Sequence, residues 1–302
     1  MYEEKGTIAN LVHLYVDGAF NRRELISRVA RHTGSMAAAL AALANYEVLN
    51  AQPPSACPEG VRVPADAPDL VSFDAQYPGD GFTMLGYVSY PKTTEPLYAP
   101  GVIVIHENRG LVEHIRDVTR RMARAGFVAI APDLLARQGG TGQFTEPTQQ
   151  TQAYWRTTRD QRYSDLISTL SYLKSLPVTR HDRIGVTGYC AGGGNAWDFA
   201  ANTPEILAAV PFYGAPTPVP EGLAGLSAAV LAIYAETDRA LTARMAPVMT
   251  AMLDQRKTFG FIVYEGVGHA FHNDTGANYN AEAACDAWGR TIGWFNKFLR
   301  KP

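Results

Sequence analysis

The stretch Arg183-Ile184-Gly185-Val186-Thr187-Gly188-Tyr189-Cys190-Ala191-Gly192-Gly193-Gly194-Asn195 decides how the rest of the chain is read. Ile184 to Thr187 is short, apolar and β-branched, the composition of a buried strand. Gly188-x-Cys190-x-Gly192 follows, and then a run from Ala196 to Ala201 with helical composition. Strand, sharp turn and helix form the setting of a nucleophile elbow, where flanking glycines let strand and helix approach closely. The usual residue at the tip is serine; here it is Cys190. A helix N-terminus directly after a cysteine favours the thiolate. The N–H of Ala191 would face the same space, ready to receive an oxyanion. A structural cysteine or a phosphate-binding loop would also use a Gly-rich turn, but neither accounts for what lies downstream.

Upstream of the elbow, Gly101–Ile105 and Phe127–Ala131 read as buried strands, with a helix from about Glu113 to Ala125 between them. Leu134 to about Gln150 is polar and Gly-rich, a loop of the length that covers a site, and a helix from about Tyr154 to Ser175 leads back to the elbow. Downstream, Ala208–Tyr213, Ala229–Tyr234 and Phe261–Tyr264 read as strands, and Tyr279–Leu299 as a last helix with Trp288, Trp294 and Phe295 on one face. Strands alternating with helices imply a mainly parallel central sheet with helices on both faces. Before this pattern begins, Leu70–Gln76 and Thr83–Tyr90 alternate around the turn Pro78-Gly79-Asp80-Gly81, an antiparallel hairpin. Ala51 to Asp69 is a Pro-rich linker, and the first fifty residues read as amphipathic helices broken near Asp17-Gly18 and His32-Thr33-Gly34. The expected organisation is an N-terminal helical extension and linker, 1–55, and one α/β domain, 56–302.

Bulk composition narrows the function classes. Of 302 residues, 46% are hydrophobic and 19% charged, the balance of an ordinary globular protein. A net charge of −2, without long Lys/Arg runs, gives no nucleic-acid surface. Cys57, Cys190 and Cys285 are too few for a disulfide framework, no Cys-x-x-Cys pair suggests zinc, and no apolar run reaches membrane-span length.

A thiol nucleophile needs a base, and the base an orienting acid. In open parallel sheets such groups collect at the carboxyl ends of strands. Asp238 follows one strand end and His269 the next, so the order Cys190, Asp238, His269 is that of the α/β-hydrolases with cysteine for serine. Glu236 competes with Asp238 for the acid role, whereas Asp254 reads as a helix residue. His106 precedes the elbow without an acid in the right place, and His272 lies beside His269 as a group that could serve the substrate. The second oxyanion donor is expected in the loop His106 to Gly110, with Asn108 in position.

The runs Ile105-His106-Glu107-Asn108-Arg109-Gly110-Leu111, Ala131-Pro132-Asp133-Leu134-Leu135-Ala136-Arg137-Gln138, Gly188-Tyr189-Cys190-Ala191-Gly192-Gly193-Gly194 and Gly268-His269-Ala270-Phe271 together resemble the dienelactone hydrolase family over about Leu70 to Leu299. The resemblance implies an α/β-hydrolase fold, a Cys–His–Asp triad, and hydrolysis of lactones or esters with no cofactor and no metal. It also implies that Glu107 holds the resting thiol and takes its proton when substrate binds. Arg137 would hold a substrate carboxylate, and Tyr189 and His272 would line the substrate site. The family's second arginine, four residues after the histidine, is Asn273 here, a departure that bears on the substrate rather than on ester cleavage.

The expected partner is a small-molecule ester or lactone, with no nucleic acid and no membrane, and a homodimer is an open expectation. A non-catalytic member of the same fold, with the N-terminal helices as an interaction module, is the alternative. Asn21-Arg22-Arg23-Glu24-Leu25-Ile26 resembles a twin-arginine export signal, and Met36 to Ala44 its apolar part, but Arg28, Arg31 and His32 interrupt the apolar segment. Structural helices in a cytoplasmic protein are the expectation, and a periplasmic protein reached through a degenerate signal the alternative.

Overall fold

The apolar runs become strands whose successive side chains enter opposite layers, as the two-residue period of a strand dictates. In β3 (Ala99–Ile105), Ile103 and Ile105 join one buried cluster while Val102 and Val104 join another. In β6 (Ile206–Phe212), Ala209 faces the first cluster and Ala208, Val210 and Phe212 the second. A strand buried on both sides reads as a continuous apolar run, and both do. The computed structural model describes residues 8, 11, 22–35, 38–39, 62–216 and 221–300.

The remaining strands are β1 (Leu70–Pro78), β2 (Thr83–Pro91), β4 (Val128–Pro132), β5 (Thr179–Tyr189), β7 (Ala229–Ala235) and β8 (Phe259–Tyr264). They form one eight-stranded sheet in the order β1-β2-β4-β3-β5-β6-β7-β8. The hairpin β1–β2 is antiparallel and β2 meets β4 antiparallel, while β4 through β8 are parallel. The chain divides into two compact units, residues 1–56 and 57–302. In the first unit, helix α1 (Arg22–Thr33) is followed by Gly34 at φ +80°, a left-handed stop where the sequence predicts a break. The expectations for Asp17-Gly18, for Ala51 to Val61, and for most of the run 36–44 lie outside the described residues.

In the second unit α2 (Glu113–Arg124) and α8 (Ala281–Leu299) contribute Ile115, Val118, Met122, Ala287, Phe295 and Leu299 to one layer. On the other face lie α4 (Arg159–Ser175), α5 (Ala191–Asn202) and, after the short α6 (Arg239–Thr242), α7 (Met245–Asp254), with Leu170, Leu173, Phe199, Val248 and Met252. Helices therefore cover both faces, the α/β-hydrolase arrangement. Two elements differ from the sequence reading. The expected loop 134–150 contains short 3₁₀ turns and the start of α3 (Pro147–Arg156), with Pro147 in its first turn. The single helix expected over 154–175 is two helices, because Thr158 and Gln161 close a capping box that starts α4 anew. Val63 is pinned to α2: its N–H donates to Asp117 Oδ1 at 2.7 Å and its carbonyl accepts from Arg120 Nε at 2.6 Å. Cys285 on α8 is disulfide-bonded, while Cys190 is a free thiol. Among the described residues no helix is long and apolar enough to cross a membrane.

Candidate active site

Three strand ends supply the reactive groups. Cys190 follows β5 directly and precedes the first residue of α5, at φ +56° and ψ −118°. A left-handed conformation at a non-glycine residue is strained, and it persists only where its surroundings over-determine it. Here they do. A Cβ on Gly188 would lie 2.1 Å from the Gly192 carbonyl oxygen, and one on Gly192 would lie 2.4 Å from the carbonyl oxygens of Ile105 and His106. The glycines are thus required by close approach of strand, elbow and helix. The Cys190 N–H donates to the Phe212 carbonyl at 3.1 Å, anchoring the elbow to β6.

Asp238 stands in the turn after β7, and His269 in the turn after β8. His269 Nδ1 donates to Asp238 Oδ2 at 2.6 Å, which leaves Nε2 for the thiol. Burial lowers the His269 pKa, but the hydrogen bond and charge of Cys190 and those of Asp238 outweigh it and raise the ring to about 9. Cys190 and Asp238 thus both act on the His269 ring. The rival acid, Glu236, instead accepts from the Gly266 N–H at 2.8 Å through Oε2 and shapes the turn before His269.

The loop after β3 sits beside the elbow, because β3 and β5 pair in parallel with Ile105 opposite Gly188. Glu107 and Cys190 each lie two residues past that pair, at the same level of the sheet. His106 is fully buried and neutral in role: Nδ1 donates to the Glu107 carbonyl at 2.5 Å and Nε2 accepts from the Leu134 N–H at 2.9 Å. Burial also lowers its pKa. It braces the loop and lies outside the triad. Thr141 completes the brace: its N–H and hydroxyl donate to the two oxygens of Asp133, and its hydroxyl oxygen accepts from the Leu111 N–H at 2.8 Å. Sequence reasoning did not find Thr141, since the loop expected at 134–150 gave no signal of a fixed partner for Leu111.

Glu107 is buried at 8% exposure. Its Oε2 accepts from Asn273 Nδ2 at 3.1 Å, and Oε1 has no hydrogen-bond partner among the described residues, so the bond expected from the resting Cys190 thiol is not formed here. Asn108 is half-buried in the turn that follows. Ala191 is the first residue of α5, so its N–H has no acceptor within the helix.

The expected substrate groups are placed differently. Arg137 donates from Nη2 and Nε to the buried Asp165, at 2.8 and 3.1 Å from Oδ1, and lies over the Phe82 ring. Nε and Nη2 of its guanidinium are thus engaged by a buried carboxylate. Tyr189 is fully buried and His272 is 1% exposed; they stack on each other with ring centroids 5.0 Å apart. Neither side chain presents surface to a substrate, so both are packing residues behind the nucleophile. Burial, the nearby His114 and the Arg121 charge all push the His272 pKa down.

Behind the base lies a network that the sequence did not announce. Asp274 accepts from Arg121 at 2.5 Å and lies 3.3 Å from His114 Nδ1, and Arg121 also pairs with Asp117. Arg62 adds bonds to the Asp274 carboxylate and carbonyl. Burial raises the Asp274 pKa, but hydrogen bonds from His114 and Arg121 dominate and hold it below the ordinary carboxylate range. The signal in the sequence was weak, because its members come from positions 62, 114, 117, 121 and 274. Among the described residues no group of three or more metal-binding side chains is assembled.

Comparisons with known proteins bear on the family and the fold. The dienelactone hydrolase family model matches residues 84–299. A protein of Methylorubrum extorquens provisionally named carboxymethylenebutenolidase is 33% identical over 247 residues, covering 78% of this chain and 84% of its own length. One of Escherichia coli K12 with the same provisional name is 33% identical over 250 residues, covering 79% and 90%. A provisionally assigned dienelactone hydrolase structure from Klebsiella pneumoniae superposes with a TM-score of 0.69 at 30% identity, over 76% of this chain and 99% of its own. The sheet topology and these matches converge, and the chain belongs to the dienelactone hydrolase family, a hydrolase of lactones or esters.

Proposed function

We propose that the chain hydrolyses small carboxylic esters or lactones through Cys190, His269 and Asp238, by way of an acyl-enzyme. The observation that carries this is His269 held between Asp238 Oδ2 at 2.6 Å and the thiol of a strained elbow cysteine. On substrate binding the proton leaves Sγ, directly or through Glu107, for His269. The thiolate attacks the carbonyl carbon, and the N–H groups of Ala191 and Asn108 receive the developing oxyanion. Such donors are worth about 3 kcal/mol each at the transition state. The imidazolium then protonates the departing alkoxide as the C–O bond breaks, leaving a thioester. His269 takes a proton from water, the hydroxide attacks the thioester, and Sγ leaves. Asp238 keeps His269 in the required tautomer throughout.

A screen of small lactones and 4-nitrophenyl esters tests this reading. Cys190→Ala should abolish turnover while leaving the melting temperature within a few degrees. Turnover by the variant near that of the parent would sink the mechanism.

The disulfide at Cys285 supports the periplasmic alternative over the cytoplasmic expectation, because disulfides persist in oxidising compartments. Fractionation of the native host, with Cys285 alkylated before and after reduction, checks it. A free Cys285 in a cytoplasmic fraction would restore the cytoplasmic assignment.

A further inference from the structure

Asn273 is adjacent to Asp274 in the turn that carries His269, and the two side chains have different partners. Asp274 is held by Arg121 and His114 on α2, whereas Asn273 reaches Glu107. The Asn273 amide is not free to choose its orientation. Its Oδ1 accepts from both the N–H and the hydroxyl of Thr275, at 3.0 and 2.7 Å. With the oxygen committed there, the NH₂ must face Glu107, and Nδ2 donates to Oε2 at 3.1 Å. Asn273 is 9% exposed and Glu107 8% exposed, so neither group exchanges this bond for water.

We infer that Asn273 is the positioning residue of Glu107, and that it decides which carboxyl oxygen handles the thiol proton. This inference rests on the proposed role of Glu107 at the Cys190 thiol. A carboxyl oxygen that accepts from an amide N–H behaves as the carbonyl oxygen of the protonated acid. That leaves the other oxygen, Oε1, which has no partner among the described residues, to receive the thiol proton. When the thiol gives up its proton, the Sγ–H bond breaks and the Oε1–H bond forms, while Oε2 keeps its bond to Asn273. Because the same turn holds His269, the geometry of the carboxyl and of the base is set by one segment. A neutral amide achieves this without placing a positive charge beside the carboxyl.

The test is Asn273→Asp, alone and combined with Glu107→Gln. Aspartate keeps an oxygen for Thr275, so the turn retains its lock, but it presents an acceptor where Glu107 needs a donor. Two facing carboxyls favour retention of a shared proton, so the pH midpoint for alkylation of Cys190 by iodoacetamide should rise by about one unit. The value of kcat/KM on a neutral aryl ester should fall at least tenfold, mainly through kcat. In the Glu107→Gln background the same substitution should move neither quantity further, since no carboxyl remains there to exchange the thiol proton. Asn273→Leu, which cannot donate at all, serves as a second variant and should show the same dependence on Glu107. Equal losses in both backgrounds, or an unmoved alkylation profile, would overturn the positioning role. Loss of turnover on Cys190→Ala with those outcomes would leave the triad standing, whereas persistent turnover would remove the reading on which the inference rests.

Discussion

At the scale of single residues, the site combines a strained cysteine with an imidazole whose proton is held unusually well. The His269 pKa is raised to about 9, because Cys190 and Asp238 both favour the protonated ring. Burial alone would have done the opposite, so the two partners decide the sign. Two outcomes follow from this sign. Because the folded pKa exceeds the ordinary 6.5, the stability this group contributes is complete below about 6.5 and is lost as pH rises through about 9. Catalysis that needs the imidazolium as proton donor should likewise show an alkaline limb near pH 9 in kcat/KM. Asp238→Asn should move that limb to lower pH and reduce kcat about 10³–10⁴-fold, the size of effect found when a triad acid is replaced by its amide. Glu236→Gln should cost far less, since Glu236 serves the Gly266 N–H. An Asp238→Asn enzyme with an unshifted limb and a dead Glu236→Gln enzyme would transfer the acid role.

At the scale of elements, the turn after β8 is held by the buried ions on α2. Asp274, Arg121 and Asp117 have side chains 10%, 6% and 5% exposed, a setting where charge pairs are weakly screened. Removing one member of a buried pair leaves an uncompensated charge and costs about 3 kcal/mol or more. Asp274→Asn should therefore lower the melting temperature by about 6–12 °C, the shift such a loss gives in a domain of this size. The lowered pKa of Asp274 adds a direction. Its contribution is present above the ordinary carboxylate range and disappears as pH falls through it. The variant should consequently lose less stability on acidification than the parent does, and thermal melts between pH 7 and pH 3 check both statements. A melt unchanged from the parent would show that the pairing of Asp274 with α2 does not hold the turn.

At the scale of the whole molecule, the two apolar layers are built from residues 75–299, and the sheet from residues 70–264. A unit that buries its own sheet on both faces needs no further segment to satisfy its strands. A chain shortened to residues 57–302 should keep a single cooperative calorimetric transition and ester turnover within about threefold of the full chain. Loss of the cooperative transition would show that the hydrolase unit depends on residues 1–56. The structural role expected for the first fifty residues predicts a lowered melt or an altered oligomeric mass in the same sample.

Much of this architecture was legible in the chain because it rests on short-range pattern. Continuous β-branched runs, Gly-x-Cys190-x-Gly and strand ends carrying Asp238 and His269 are each contained within a few residues, and the parallel sheet follows from their alternation with helices. What pairs distant positions was not legible. Nothing local announces that Thr141 braces Leu111, that Asp165 occupies Arg137, or that Tyr189 and His272 pack face to face with no surface left for substrate. Nor does the spacing of four residues from His269 to Asn273 reveal that Thr275 fixes the amide and turns its donor toward Glu107. Hydrophobic period and turn chemistry determine which strands form and where the reactive groups emerge. Close packing and the need to satisfy every buried polar group, which join residues far apart in sequence, decide which of those groups are free to act.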